Sequence, residues 1–284
     1  MDLQDGRIDT GKVEEAITEN TSLIIAQRSR GYAWRPSLMP EDFAGLAEMI
    51  HSRHPHIRLM VDNCYGEFVC QDEPTDYGAD LCVGSLIKNP GGGIAPTGGY
   101  IVGKTEDIER IAYRLTAPGL GRELGSYAAS YRLFYQGLFM APHTVSQALK
   151  TAVVTARVFE NLGFETTPPS NIRRADIIQA IRFGKPELLV SFCQGIQAAS
   201  PVDSMAAPEP WEMPGYEDQV IMAAGTFVAG ASIELSADGP MREPYTAFMQ
   251  GGLTYAHGRI AVAEALNRIL ELKQPMITDA VAES

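Results

Sequence analysis

Two short apolar runs that end in groups of opposite charge constrain this chain most. Ile57-Arg-Leu-Met-Val-Asp62 finishes on an acid, and Leu81-Cys-Val-Gly-Ser85 leads through Leu86-Ile87 to Lys88 and the glycine turn Gly91-Gly-Gly93. Runs this short, bounded by glycine and polar residues, suit buried strands better than helices. An amine and a carboxylate therefore meet at the ends of two strands. Pyridoxal phosphate chemistry needs that pair: a lysine holds the aldehyde, and an acid keeps the pyridine nitrogen protonated so that the ring withdraws electrons.

The surrounding pattern is an α/β alternation. Apolar residues at helical spacing over Thr10 to Asn20 precede the strand-like Ser22-Leu-Ile-Ile-Ala-Gln27, and a weaker helical stretch from Glu41 to His51 precedes the run ending at Asp62. Leu81 to Ser85 and Gly99 to Gly103 supply two further strands, the last free to run in either direction. Helices follow at Glu106 to Tyr113, Ser126 to Met140 and His143 to Leu162, with Pro142 opening the longest and Gly163 closing it. Beyond Thr166-Thr-Pro-Pro-Ser170, strands are expected at Asp176 to Phe183, Val220 to Val228 and Ser232 to Ser236. A helix is expected from Lys185 to Gln197, and a closing one from Leu253 to Lys273. This organisation predicts a large domain over 1–165 with a mainly parallel sheet, and a smaller α/β domain over 166–284.

With 35 acidic against 23 basic residues, the chain carries a net charge of −12, which argues against nucleic acid or an anionic membrane surface as the main partner. No apolar stretch approaches the roughly 18 residues of a membrane span. The four cysteines form no C-x-x-C pair, so reduced thiols and a cytoplasmic location are expected.

The blocks Val61-Asp-Asn-Cys-Tyr-Gly-Glu-Phe68, Gly78-Ala-Asp-Leu81 and Ser85-Leu-Ile-Lys88 resemble the active-site stretch of the cystathionine and methionine γ-lyase group. Further blocks, Gln27-Arg-Ser-Arg-Gly-Tyr32, Ser85 to Gly93, Pro208-Glu-Pro-Trp211 and Gln250-Gly-Gly-Leu-Thr-Tyr255, are similar to hallmarks of its aluminium resistance, or methionine γ-lyase-like, branch. The resemblance covers nearly the whole chain. It implies a fold-type-I pyridoxal 5′-phosphate enzyme, a carbon–sulfur lyase acting on a sulfur-containing amino acid, assembled as a homodimer or homotetramer.

By that resemblance Lys88 is the Schiff-base lysine, Asp62 the partner of the pyridine nitrogen and Ser85 a phosphate-contacting hydroxyl, while Asn63 and Tyr65 line the cofactor pocket. Ile87 stands where the group usually has a second hydroxyl. Burial of Lys88 among apolar neighbours is expected to lower its pKa and free it as a base. A substrate carboxylate calls for a bidentate arginine; the late stretch from Tyr245 to Leu253 has none, so Arg242 is the candidate, with Arg28 and Arg30 as rivals. The resemblance also implies that relatives carry a further stretch ahead of Met1, with a glycine-rich turn and helix N-terminus for the phosphate. A chain without it would keep the lysine and lose most of the phosphate site, and could persist as a non-catalytic subunit.

Two other motifs compete. Gly98-Gly-Tyr-Ile-Val-Gly-Lys-Thr105 satisfies the phosphate-loop pattern of nucleotide hydrolases, but Tyr100-Ile-Val102 is strand-like and would be paired rather than free to wrap phosphates. His51, His54 and His56 straddle a helix end without a partner acid or cysteine block, so solvated histidines rather than a metal site are expected. Gly91 to Gly93 either admit a cofactor to the backbone or form a turn.

Overall fold

In the computed structural model, which describes residues 2–282, the chain resolves into two compact units, each with its own sheet. The first comprises residues 2–31, 35–140 and 174–176. Its four strands lie in the order β1 (Leu23–Gln27), β2 (Arg58–Asp62), β3 (Leu81–Ser85) and β4 (Gly99–Gly103). The first three are parallel, and β4 returns antiparallel along β3.

Helices α1 (Thr10–Ala16) and α2 (Ala44–Arg53) belong to this unit, and α2 is preceded by a single 3-10 turn at Pro40–Phe43. Leu46, Ala47 and Ile50 of α2 bury against Leu59 and Val61 of β2, with Ile24 and Ala26 of β1 packed at the margin. The alternation along β1 then turns Leu23 and Ile25 outward, where they are 41% and 61% exposed, so this strand is covered on one face only. Beyond β4, α3 (Thr105–Leu115) begins with two acids in its first turn.

The second unit comprises residues 32–34, 141–173 and 177–282. Its sheet, in the order β5 (Glu165–Thr167), β6 (Gln179–Arg182), β9 (Thr246–Gln250), β8 (Ser236–Pro240) and β7 (Val220–Ala223), is antiparallel throughout. Helices α5 (Pro186–Ala198) and α6 (Tyr255–Ala282) pack on each other and bury Leu189, Phe192, Ile196, Ala261 and Ala265. Phe159, Phe164, Phe183 and Phe192 meet edge-on or tilted at 5.2–5.9 Å between ring centres.

Three expectations are corrected. The two helices separated at Pro142 are one helix, α4 (Arg132–Asn161), with the proline inside it. Proline removes one N–H bond of the ladder, but Ala141, Val145, Ala148, Ala152 and Ala156 are all fully buried at helical spacing, and that burial holds the helix together across the gap. The segment expected as a strand at Ser232 to Ser236 is mostly a turn, in which the Glu234 carboxylate accepts the amides of Phe227 and Val228 at 2.7 and 3.1 Å. The strand begins where the sequence suggested it would end, because Ser236–Pro240 is held between β7 and β9 despite poor intrinsic propensity. The strand expected from Asp176 shrinks to Gln179–Arg182.

Among the described residues, no helix is long and apolar enough to cross a membrane.

Candidate active site

Asp62 is the last residue of β2 and pairs in register with Val83, so Ser85, the last residue of β3, lies two positions further along the neighbouring parallel strand. The C-terminal ends of adjacent parallel strands are where open α/β sheets place ligands. Lys88 follows in a tight turn: its amide bonds to the Ser85 carbonyl at 3.3 Å, and its own carbonyl accepts Gly91 N–H at 3.1 Å. A Cβ on Gly91 would come within 1.8 Å of the Leu86 carbonyl, and a Cβ on Gly137 of α4 within 2.3 Å of the Gly91 carbonyl. The glycine turn is therefore closely packed at Gly91, where no side chain has room.

The Lys88 ammonium sits 4.3 Å from the centre of the Tyr65 ring. Its pKa departs from the sequence expectation: burial pulls it down, but the electrostatic influence of Tyr65, Cys64 and Asp62 outweighs burial and leaves it above the ordinary lysine value. The neighbouring Cys64 thiol is pushed up to about 11, chiefly by burial. One oxygen of Asp62 accepts the Cys64 amide at 3.1 Å, turning the chain out of the strand. Tyr65 then adopts a left-handed conformation, with φ of 73°.

Beneath this turn lies a buried polar network that sequence reasoning passes over. Arg28, fully buried, donates to Asn63 Oδ1 at 2.6 Å and to the Leu38 carbonyl at 3.1 Å, and pairs with Glu73 at 3.4 Å. Asn63 Nδ2 donates to Glu73 at 2.9 Å. Tyr100 of β4 donates its hydroxyl to Glu67 at 2.8 Å. Burial raises the Glu67 carboxyl to about 8 and drives the Tyr100 phenol upward as well. Room for this pair depends on Gly84, where a Cβ would come within 2.5 Å of both Glu67 and the Tyr100 ring. Glu67 stands inside one of the blocks quoted above, and its place there is the signal that could have drawn attention to it.

The competing motifs take other roles. Tyr100-Ile-Val102 is paired along β3, and Lys104 reaches back to the buried Asp80 at 2.5 Å, so the G-K-T segment forms no open phosphate loop. Asp80 also accepts the Leu59 amide at 2.8 Å and faces His51 Nε2 at 3.1 Å. Burial raises its pKa, but these bonds outweigh burial and hold it below the usual carboxylate range. His54 lies 3.7 Å from Glu14.

The two substrate arginines differ in setting. The Arg28 donors are committed to groups of the protein, whereas Arg242, in the second unit, is 53% exposed and pairs with Asp218 at 3.1 Å. Arg30, the other rival, is buried within electrostatic reach of Asp176.

A chain with parallel strands, a lysine beyond one strand end and an acid at the next brings together the two groups that a pyridoxal phosphate ring engages. The profile of the methionine gamma-lyase family matches residues 1–270, and the chain belongs to that family. An uncharacterized protein of Bacillus subtilis, YnbB, is 52% identical over 268 residues, covering 94% of this chain and 64% of the relative. A solved carbon–sulfur lyase involved in aluminium resistance from Clostridium novyi superimposes with a TM-score of 0.88 at 49% identity, covering 95% of this chain and 63% of that one. The chain thus spans under two thirds of the length of these relatives. Cystathionine γ-lyase from Lactobacillus plantarum shares the fold at 18% identity, with a TM-score of 0.58.

The family implies pyridoxal 5′-phosphate, and the residues fit its reactive half. A partly buried amine, an aromatic ring against it and a carboxylate in electrostatic contact suit an aldehyde and a pyridine nitrogen.

Proposed function

We propose that this chain carries the lysine-bearing part of a carbon–sulfur lyase site acting on a sulfur-containing amino acid. The observation that carries the reading is the Lys88 amine, packed on Tyr65 and within electrostatic reach of Asp62 at the end of the adjacent parallel strand. The cofactor, when bound, supplies an electron sink for the substrate's α-carbon.

Lys88 would hold the cofactor, and its Nζ is the group placed to take the substrate's α-proton. Its neighbours Asp62 and Tyr65 favour the ammonium that results. Asp62 would keep the pyridine nitrogen protonated, and Ser85 would offer its hydroxyl to the phosphate. Asn63 is held from behind by Arg28 and Glu73, so it lines the site with a fixed amide. Arg242 is the better candidate for the substrate carboxylate, because it can exchange Asp218 for a ligand, whereas Arg28 would have to break buried bonds. Assembly into two or four copies belongs to the same reading, and light scattering on the eluted protein tests it.

The experiment is an absorbance titration with pyridoxal phosphate, followed by borohydride reduction and peptide mass spectrometry. The expected result is a visible band lost in Lys88→Ala and a pyridoxyl group on Lys88. An unchanged band in Lys88→Ala, or a label elsewhere, removes the assignment. Thiol and 2-oxo acid release from cystathionine and from methionine then separates β- from γ-elimination.

A further inference from the structure

The residue after the lysine is an asparagine with no solvent exposure. Asn89 Nδ2 lies 3.0 Å from the Tyr65 carbonyl and 3.0 Å from the Glu67 carbonyl. Two carbonyl oxygens can be satisfied only by a donor, so the orientation of this amide is dictated by its partners. The carbonyls belong to a turn in which Tyr65 and Phe68 both have positive φ, at 73° and 60°. Left-handed backbone is unfavourable for such bulky residues and persists only where surrounding bonds hold it. One such bond is Gly66 N–H to the Asn63 carbonyl at 2.9 Å, and Asn89 supplies two more.

The backbone of Asn89 is anchored as well, since Gly92 N–H bonds to its carbonyl at 3.1 Å and the glycine turn around it is closely packed. One side chain thus ties the peptide of Lys88 to the turn that carries the ring facing Lys88. We propose that Asn89 is a positioning residue for Lys88, holding the Tyr65 ring against the lysine ammonium through its paired hydrogen bonds to the Tyr65 and Glu67 carbonyls. The inference bears on catalysis through the proposed role of Lys88, but its geometry stands without a cofactor. The groups acting on the Lys88 amine are Tyr65, Cys64 and Asp62. Asn89 governs the first of them.

The test reads the amine directly in the cofactor-free chain. Competitive acetylation across a pH series, with Lys12 as the exposed reference and quantification by peptide mass spectrometry, gives the apparent pKa of Lys88. Asn89→Ala is expected to lower it by about one unit, the scale of a lost cation–π contact. Asn89→Leu, of similar size and without a donor, is expected to do the same, so either variant suffices if the other fails to fold by circular dichroism.

Tyr65→Leu provides the reading that a merely structural role would not move. On that background Asn89→Ala is expected to add no further shift. An unchanged Lys88 pKa in a folded Asn89 variant, or an equal shift with and without the Tyr65 ring, overturns the proposal. Because no cofactor is present, failure here is distinct from failure of the lyase reading, which rests on the pyridoxyl label.

Discussion

The two units differ in how many charged side chains they bury. Inside the second, four phenylalanines and the aliphatic faces of α5 and α6 fill the space over an antiparallel sheet. In the first, Arg28, Asn63, Glu67, Asp80 and Asn89 are buried around the ends of a mainly parallel sheet. An apolar core gains stability from each group it hides. A buried polar cluster gains little net stability, but each member fixes where its partners stand. The unit carrying Lys88 keeps an apolar core and adds to it a polar cluster that fixes placement.

Deletion at the centre of each unit should break this comparison most sharply. Arg28→Ala takes its donors from Asn63, Glu73 and the buried Leu38 carbonyl and is expected to cost about 3 kcal/mol. Phe192→Ala is expected to cost a similar amount, about 3–5 kcal/mol, through the cavity it opens. Denaturant unfolding gives both numbers, and the two differ in cure: Arg28→Met should recover part of the loss, since an apolar replacement needs no partner, if Glu73 can turn to solvent. A Phe192→Leu variant should recover most of its loss by refilling volume.

Asp80→Asn comes next, at about 1–3 kcal/mol near neutral pH. The sign follows from its depressed carboxyl: the stabilisation is present above the ordinary aspartate pKa and is lost as pH falls through the folded value. Wild-type stability should therefore drop in acid, and the variant should lack that limb. An acid limb that is unchanged in Asp80→Asn would assign it to other carboxylates.

At pH 5, where the folded carboxyl keeps its proton, Glu67→Gln gives the smallest effect, and its pH dependence has the opposite sign. With its carboxyl raised from 4.5 to about 8, the folded chain binds a proton that the unfolded chain has released, so stability falls as pH rises between those values. The slope is about 1.4 kcal/mol per pH unit while only the folded state holds the proton. Glutamine keeps an acceptor for Tyr100 and carries no titration, and thermal unfolding from pH 5 to 8 should show a flatter profile for the variant.

Much of the first sheet was legible because its strands are short apolar runs punctuated by glycine and acids; β3 and β4 have the bounds read from the sequence, and Lys88 and Asp62 fall at the expected strand ends. Propensity misled where tertiary burial overruled it, as at Pro142 inside α4 and in the polar β8. The environment of Lys88 was the larger miss. Burial was foreseen, but whether neighbours reinforce or oppose it depends on the turn at Tyr65, which no periodicity encodes. Arg28 could be suspected as a ligand arginine; that its guanidinium is enclosed by Asn63, Glu73 and the Leu38 carbonyl follows only from contacts distant in sequence.

The two units are threaded through one another along the chain, since residues 32–34 count with the second and 174–176 with the first, and α4 runs across the junction at 140–141. No single cut releases either as an uninterrupted fragment. Limited proteolysis would have to nick within a helix to sever them there, and an expression fragment of one would always lack a strip supplied by the other. For this protein, dissection by truncation is a poor route to assigning roles, and point substitution is the instrument its connectivity permits.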